Sequence, residues 1–86
     1  MKIDLRNKNL ISFDLKKYCE DKNIKLKNIT WLDLSGNQLK TFELPKECEN
    51  CIDIYLDYNS KLETVVIPNE LKNIEEFWVN DDCKII

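Results

Sequence analysis

Ile29-Thr30-Trp31-Leu32-Asp33-Leu34-Ser35-Gly36-Asn37-Gln38-Leu39 decides the fold, because its arrangement returns along the chain. Apolar residues flank a central Asp33, and an Asn stands four positions on. Working outward, Cys51-Ile52-Asp53-Ile54-Tyr55-Leu56-Asp57-Tyr58-Asn59 repeats the arrangement around Tyr55. Ile74, Phe77 and Val79 repeat it around Trp78, and Ile3 and Leu5 repeat it around Asp4. These centres lie 29, 22 and 23 residues apart. A period in the twenties marks a chain that stacks on itself rather than wrapping one globular core.

The connecting segments keep the same register. Phe13, Phe42 and Val65 share a column, as do Leu15, Leu44 and Ile67, then Lys16, Pro45 and Pro68, then Cys19, Cys48 and Leu71. From Asp14 to Asn23, residues Leu15, Tyr18, Cys19 and Lys22 fall at three- and four-residue steps, with Asp14 placed to cap the start. That spacing predicts a short helix on the outer side. Pro45 and Pro68 leave the later connections as extended chain or single turns.

The chain resembles leucine-rich repeat proteins, whose signature is L-x-x-L-x-L-x-x-N/C-x-L. Ile29, Leu32, Leu34, Asn37 and Leu39 match it in full, and Cys51, Ile54, Leu56 and Asn59 match with Leu62 one residue late. Ile74, Phe77, Val79, Asp82 and Ile85 follow the same late pattern, while Ile3, Leu5 and Leu10 match in part, with Lys8 at the Asn position. The resemblance implies an α/β fold, a short solenoid of about four coils. It implies a curved parallel sheet on the concave face, and one short helix plus turns on the convex side. One domain, 1–86, would hold repeats at approximately 1–25, 26–47, 48–70 and 71–86. In that family the Asn bonds backbone groups of neighbouring turns, so Lys8 and Asp82 weaken the ladder at both ends. The resemblance also implies a binding role, commonly as an adaptor or scaffold.

Eighty-six residues bury roughly 60–65% of the unfolded surface, enough for one modest core. No stretch approaches the ~18 apolar residues of a membrane span. Met1-Lys2-Ile3-Asp4-Leu5-Arg6 lacks a signal-type apolar run, so a cytoplasmic protein is expected. The chain has no His and a single glycine, Gly36. The first removes the commonest general base, and the second excludes Gly-rich phosphate loops. No enzymatic activity, catalytic residue or cofactor is expected.

Four cysteines allow three readings. Cys48-Glu49-Asn50-Cys51 has half-zinc-site spacing, which Cys19 and Cys83 would complete as a zinc-binding module. A Cys19–Cys48 disulfide is a second reading. The columns favour a third, in which Cys19, Cys48 and Cys51 pack as small hydrophobes beside Leu71, Ile29 and Ile74. Cys83 shares its column with Asn9, Gln38 and Ser60 and is expected at the surface.

Strand residues alternate between two sides. With Ile3, Leu5, Leu32, Leu34, Ile54, Leu56, Phe77 and Val79 inward, the outward positions are Lys2, Asp4 and Arg6; Trp31, Asp33 and Ser35; Asp53, Tyr55 and Asp57; Glu76, Trp78 and Asn80. Both tryptophans fall there, with five acids and two bases among the twelve positions. Tyr55 and Trp78 should stand side by side. Exposed aromatic rings supply contact area at little rotamer cost, and carboxylates select a basic surface. The expected site comprises Trp31, Asp33, Asp53, Tyr55, Asp57, Glu76, Trp78 and Asn80, binding a protein partner with a basic surface. Direct nucleic-acid binding is disfavoured, since it draws on cationic contacts. The run Lys16, Lys17, Lys22, Lys25 and Lys27 is read as a solvated helix face. Two alternative roles remain: a small phage or mobile-element inhibitor of a host defence or nucleic-acid-binding protein, and a self-assembling repeat whose edge strands pair into a homodimer.

Overall fold

The alternating triplets become short strands, one side of the chain meeting a core and the other water. A computed structural model describes residues 1–86. In chain order it contains β1 (Lys2–Asp4), α1 (Leu15–Lys22), a 3-10 turn (Leu26–Asn28), β2 (Trp31–Asp33), β3 (Thr41–Glu43), β4 (Asp53–Tyr55), β5 (Thr64–Val66), β6 (Glu76–Trp78) and β7 (Lys84–Ile85). All pairing is parallel and sorts the strands into two sheets, β1-β2-β4-β6 and β3-β5-β7. From β2 onward the chain visits the two sheets in turn.

The first sheet has the register the repeat predicts. Lys2, Trp31, Asp53 and Glu76 are mutual partners across it, as are Asp4, Asp33, Tyr55 and Trp78. The second sheet goes beyond the expected extended chain. Thr41↔Thr64, Phe42↔Val65 and Glu43↔Val66 pair, followed by Thr64↔Lys84 and Val65↔Ile85. Phe42 and Val65 turn inward, and their main-chain groups then need partners that water cannot reach. Each proline opens a single turn, in which Cys48 N–H donates to Pro45 O (3.0 Å) and Leu71 N–H to Pro68 O (3.1 Å).

The first connection has no strand in the second sheet because it enters α1. Asp14 caps the helix, its Oδ1 accepting from Lys17 N–H at 3.1 Å. Asn23 ends it in the left-handed region (φ 57°), and Ile24 N–H donates to Cys19 O at 2.8 Å. Asparagine tolerates that backbone better than most residues, so the stop is encoded locally.

Between the sheets lie Ile3, Leu32, Ile54, Leu34, Leu56, Phe42, Val65, Leu39 and Leu62, all buried, with Leu15, Cys19, Ile29, Leu44, Cys48 and Cys51 closing the sides. The three buried cysteines occupy apolar positions, as the columns indicate. Burial pushes the Cys48 thiol up to about 12 and the Cys51 thiol up to about 11. No three His, Cys, Asp or Glu side chains converge as a metal site would require. A radius of gyration of 11.8 Å agrees with the ~12 Å of a compact chain this long. No helix is long and apolar enough to cross a membrane.

Asparagines tie successive strand–turn units together. Asn37 Oδ1 accepts from Lys8 and Leu10 N–H (both 3.0 Å), and its Nδ2 donates to Leu5 O and Leu34 O. Asn59 does the same one unit later, accepting from Leu39 N–H and donating to Leu34 O and Leu56 O. A second set escaped the sequence reading. Asn50 donates to Lys27 O (2.8 Å), Asn73 to Glu49 O (2.9 Å), and the Met1 ammonium to Asn28 O (2.8 Å).

Three expectations are corrected near the C-terminal end. Asp82 stands at the expected Asn position, yet Asn80 makes the backward contact, accepting from Tyr58 N–H at 3.1 Å and donating to Asn59 O. Ile85 pairs with Val65 in the second sheet instead of matching Leu62, because the last turn is shorter. Cys83 is half-buried against the core rather than free at the surface, and its thiol is also shifted up by burial.

Candidate functional site

The outward side of the first sheet is a grid of three rows on four strands. Register fixes the first two rows, Lys2-Trp31-Asp53-Glu76 and Asp4-Asp33-Tyr55-Trp78. Arg6, Ser35, Asp57 and Asn80 follow two residues on. Strands about 4.8 Å apart bring neighbours within a row into side-chain reach.

The β1–β2 half satisfies itself. Arg6 holds Asp4 through Nη2 at 2.9 Å and Nε at 3.0 Å, and its Nε lies 3.7 Å from Asp33 Oδ2. The guanidinium holds the Asp4 carboxyl below the usual carboxylate range and is itself raised. Asp33 Oδ1 also accepts from Ser35 N–H (2.9 Å) and Ser35 Oγ (2.6 Å). With 6% of its surface exposed, Asp33 is committed to this corner and not displayed for a partner. Lys2 Nζ sits 5.5 Å from the Trp31 ring centroid, within cation–π range. Trp31 is half-buried, its ring 5.6 Å from Tyr55 at a 56° tilt.

The β4–β6 half is different. The Tyr55 hydroxyl donates to Glu76 Oε2 at 2.8 Å. That carboxylate, then burial, pushes the phenol up to about 12. Tyr55 is thus oriented on both sides, by the indole and by Glu76. Trp78 stands beside it with 57% of its surface exposed. Asp53 and Asp57 are half-exposed and belong to none of the salt bridges. Asn80, expected as a contact residue, is spent on the backbone of the preceding unit.

Of the eight expected site residues, Asp53, Tyr55, Glu76 and Trp78 come together on two adjacent strands, with Asp57 just past the end of one of them. Trp31 adjoins them, whereas Asp33 and Asn80 serve the fold. The sequence reading missed Tyr58. It is 79% exposed at the rim, next to Asp57, and holds a left-handed φ of 59°. Asn7 and Gly36 occupy the same column with φ of 56° and 69°, so the repeat itself signalled a special backbone position. At Gly36 a Cβ would meet Asn7 Oδ1, so a larger residue there would have to displace that amide as well as hold a left-handed φ. A bulky aromatic in that conformation is uncommon, and such outliers cluster where side chains are used.

The lysines of the first connection are all exposed, and several have partners: Lys16 with Glu47 (3.3 Å), Lys17 with Asp21 (3.8 Å), and Lys22 over the Tyr18 ring. A concavity of about 740 Å³ opens away from the grid, between Ile11–Lys16 and Lys40–Glu47. No family model matches the chain, and no curated protein or solved structure matches it.

Proposed function

We propose that this chain is a non-enzymatic protein-interaction module, a short solenoid of about four coils similar to leucine-rich repeats. It would bind a protein with a basic surface through the outward face of its first sheet. One observation carries this most directly: Trp78, more than half exposed, stands beside an oriented Tyr55 and two carboxylates without salt bridges. Water solvates carboxylates well and indoles poorly, so an indole displayed among acids suits a contact that is both apolar and cationic. Large, rigid aromatic groups of this kind dominate interface energetics.

The chemistry on the face favours binding over catalysis. Its one phenol holds its proton to about 12, far from the neutral range where a general acid or base operates best. Four free thiols, three of them buried, suit a reducing compartment such as the cytoplasm.

The test is a binding isotherm with a partner identified by affinity capture, comparing the native chain with Trp78→Ala. Loss of a central aromatic contact is expected to cost about 2 kcal/mol or more, roughly thirtyfold in affinity. Equal affinities for the two would refute the assignment of the face. Raising the salt should weaken the native complex through the Asp53 and Asp57 contacts.

A further inference from the structure

The two halves of the grid use the same ingredients, but only one is complete. On β1–β2, this chain supplies its own cations: Lys2 lies over Trp31, and Arg6 joins Asp4 to Asp33. On β4–β6, Trp78, Asp53 and Asp57 are equivalent hosts, an indole and carboxylates. None of them takes part in any cation–π contact or salt bridge.

The main chain beside them is also open. β6 is the last strand of its sheet. Glu76 N–H donates to Ile52 O, and Leu56 N–H donates to Trp78 O. Residues 76 and 78 therefore turn their main-chain groups toward β4. Strand alternation then leaves Phe77 N–H and C=O directed outward at the free edge. Phe77 and Ile74 are only half-buried there, whereas their counterparts Ile54 and Cys51 one unit earlier are covered.

We infer that the partner contributes an extended, basic segment that adds as a strand to the free edge of β6. Its lysine or arginine side chains then lie over Trp78 and against Glu76 of β6, with Asp57 one strand further in and in reach of a long cationic side chain. This rests on the protein-binding role proposed above and specifies the form of the partner. The β1 segment provides the internal precedent, since Lys2 at the start of the strand lies over the β2 indole and Arg6, two residues past its end, joins Asp4 to Asp33 of β2. Main-chain bonds would supply affinity and the alternate cationic side chains specificity.

The probe is a synthetic peptide of roughly eight residues, a typical strand length, alternating arginine with threonine. Its titration would be followed by amide chemical shifts of the full chain. Binding should shift the amides of Phe77 and Val79 and leave those of Thr41 and Glu43 unmoved. Methylating alternate peptide nitrogens, which blocks the ladder and keeps the charge, should weaken binding at least about tenfold. Trp78→Ala should weaken it by a similar factor. Because that side chain is more than half exposed, the variant should keep the fold, checked by unmoved amides away from residue 78 such as Thr41 and Glu43, and its own peptide-free spectrum is the reference.

Equal binding of the methylated and unmethylated peptides would overturn strand addition while leaving the basic-partner role intact. Equal binding of a glutamate–threonine peptide would overturn the charge pairing. If no peptide bound but Trp78→Ala still abolished capture of a folded partner, the extended form would be wrong and the face right. If Trp78→Ala had no effect on either, both would fall. A concentration-dependent dimer abolished by Lys2→Glu would assign the edge to β1 of a second copy and overturn the separate partner.

Discussion

Asn59→Ala is the sharpest test of what ties the strand–turn units together. Asn59 is fully buried. Its Oδ1 accepts from Leu39 N–H at 3.1 Å, and its Nδ2 donates to Leu56 O at 2.8 Å and Leu34 O at 3.1 Å. Leu34 O keeps a second donor, Asn37 Nδ2 at 2.8 Å. Leu39 N–H and Leu56 O have no other bond, so alanine leaves two main-chain groups buried and unpaired. At about 1–3 kcal/mol for each orphaned group, the loss is about 2–6 kcal/mol. A domain of this length has roughly 4–13 kcal/mol in total, so at the middle of both ranges about half of it would go. Urea denaturation followed by circular dichroism should move the midpoint down by about 3 M at mid-range values, within limits of about 1–6 M, taking a slope near 1–1.5 kcal/mol per molar. Asn73→Ala is the control: it removes one exposed bond to Glu49 O, worth at most about 1 kcal/mol. Asn59→Asp adds a check of sign. Its second oxygen would face Leu34 O and Leu56 O, and burial raises a carboxyl's pKa. The protonated form, able to donate, is then favoured, so this variant should lose less stability in acid than at neutral pH. If Asn59→Ala matched Asn73→Ala, the asparagine contacts would not be what couples the units.

Other perturbations separate the remaining features. Glu76→Gln should bring the Tyr55 pKa down from about 12 toward its ordinary 10, measured by phenolate absorbance. The folded value exceeds the unfolded one, so the Tyr55–Glu76 contribution is whole below pH 10 and lost as pH rises toward 12. Tyr58→Asn should raise stability by about 1 kcal/mol, because asparagine adopts a left-handed φ at lower cost. That corresponds to a melting temperature higher by roughly 4–8 °C, and no gain would mean the ring earns its place by packing. Thiol titration of the native chain should modify Cys83 first, with Cys19, Cys48 and Cys51 reacting only on unfolding, since burial holds their protons on. Four equal rates would contradict the packing of those three.

Much of the architecture is carried by side-chain periodicity, which is a linear property. Leu32, Ile54 and Phe77 recur at steps of 22 and 23 residues, so the parallel register of the first sheet follows before any coordinate is known. The helix is legible for a related reason, since Asp14 and Asn23 supply both of its ends from within ten residues of chain. Cys19, Cys48 and Cys51 could be placed in the core because each shares a column with aliphatic residues.

Other features depend on which distant groups meet, and there the string of residues is silent. Thr41–Glu43 and Thr64–Val66 carry a weak alternation, and they form a sheet only because stacked units align their main chains. Whether a carboxylate is free depends on cross-strand neighbours. Asp33 and Asp53 look alike in sequence, yet Arg6 and Ser35 close over one while nothing closes over the other. Asp82 at the Asn position predicts a weak ladder at this end, yet Asn80, two residues earlier, reaches the backbone of residues 58 and 59. Alternation told which residues point outward. Contacts between units more than twenty residues apart settled which of those remain available to anything else.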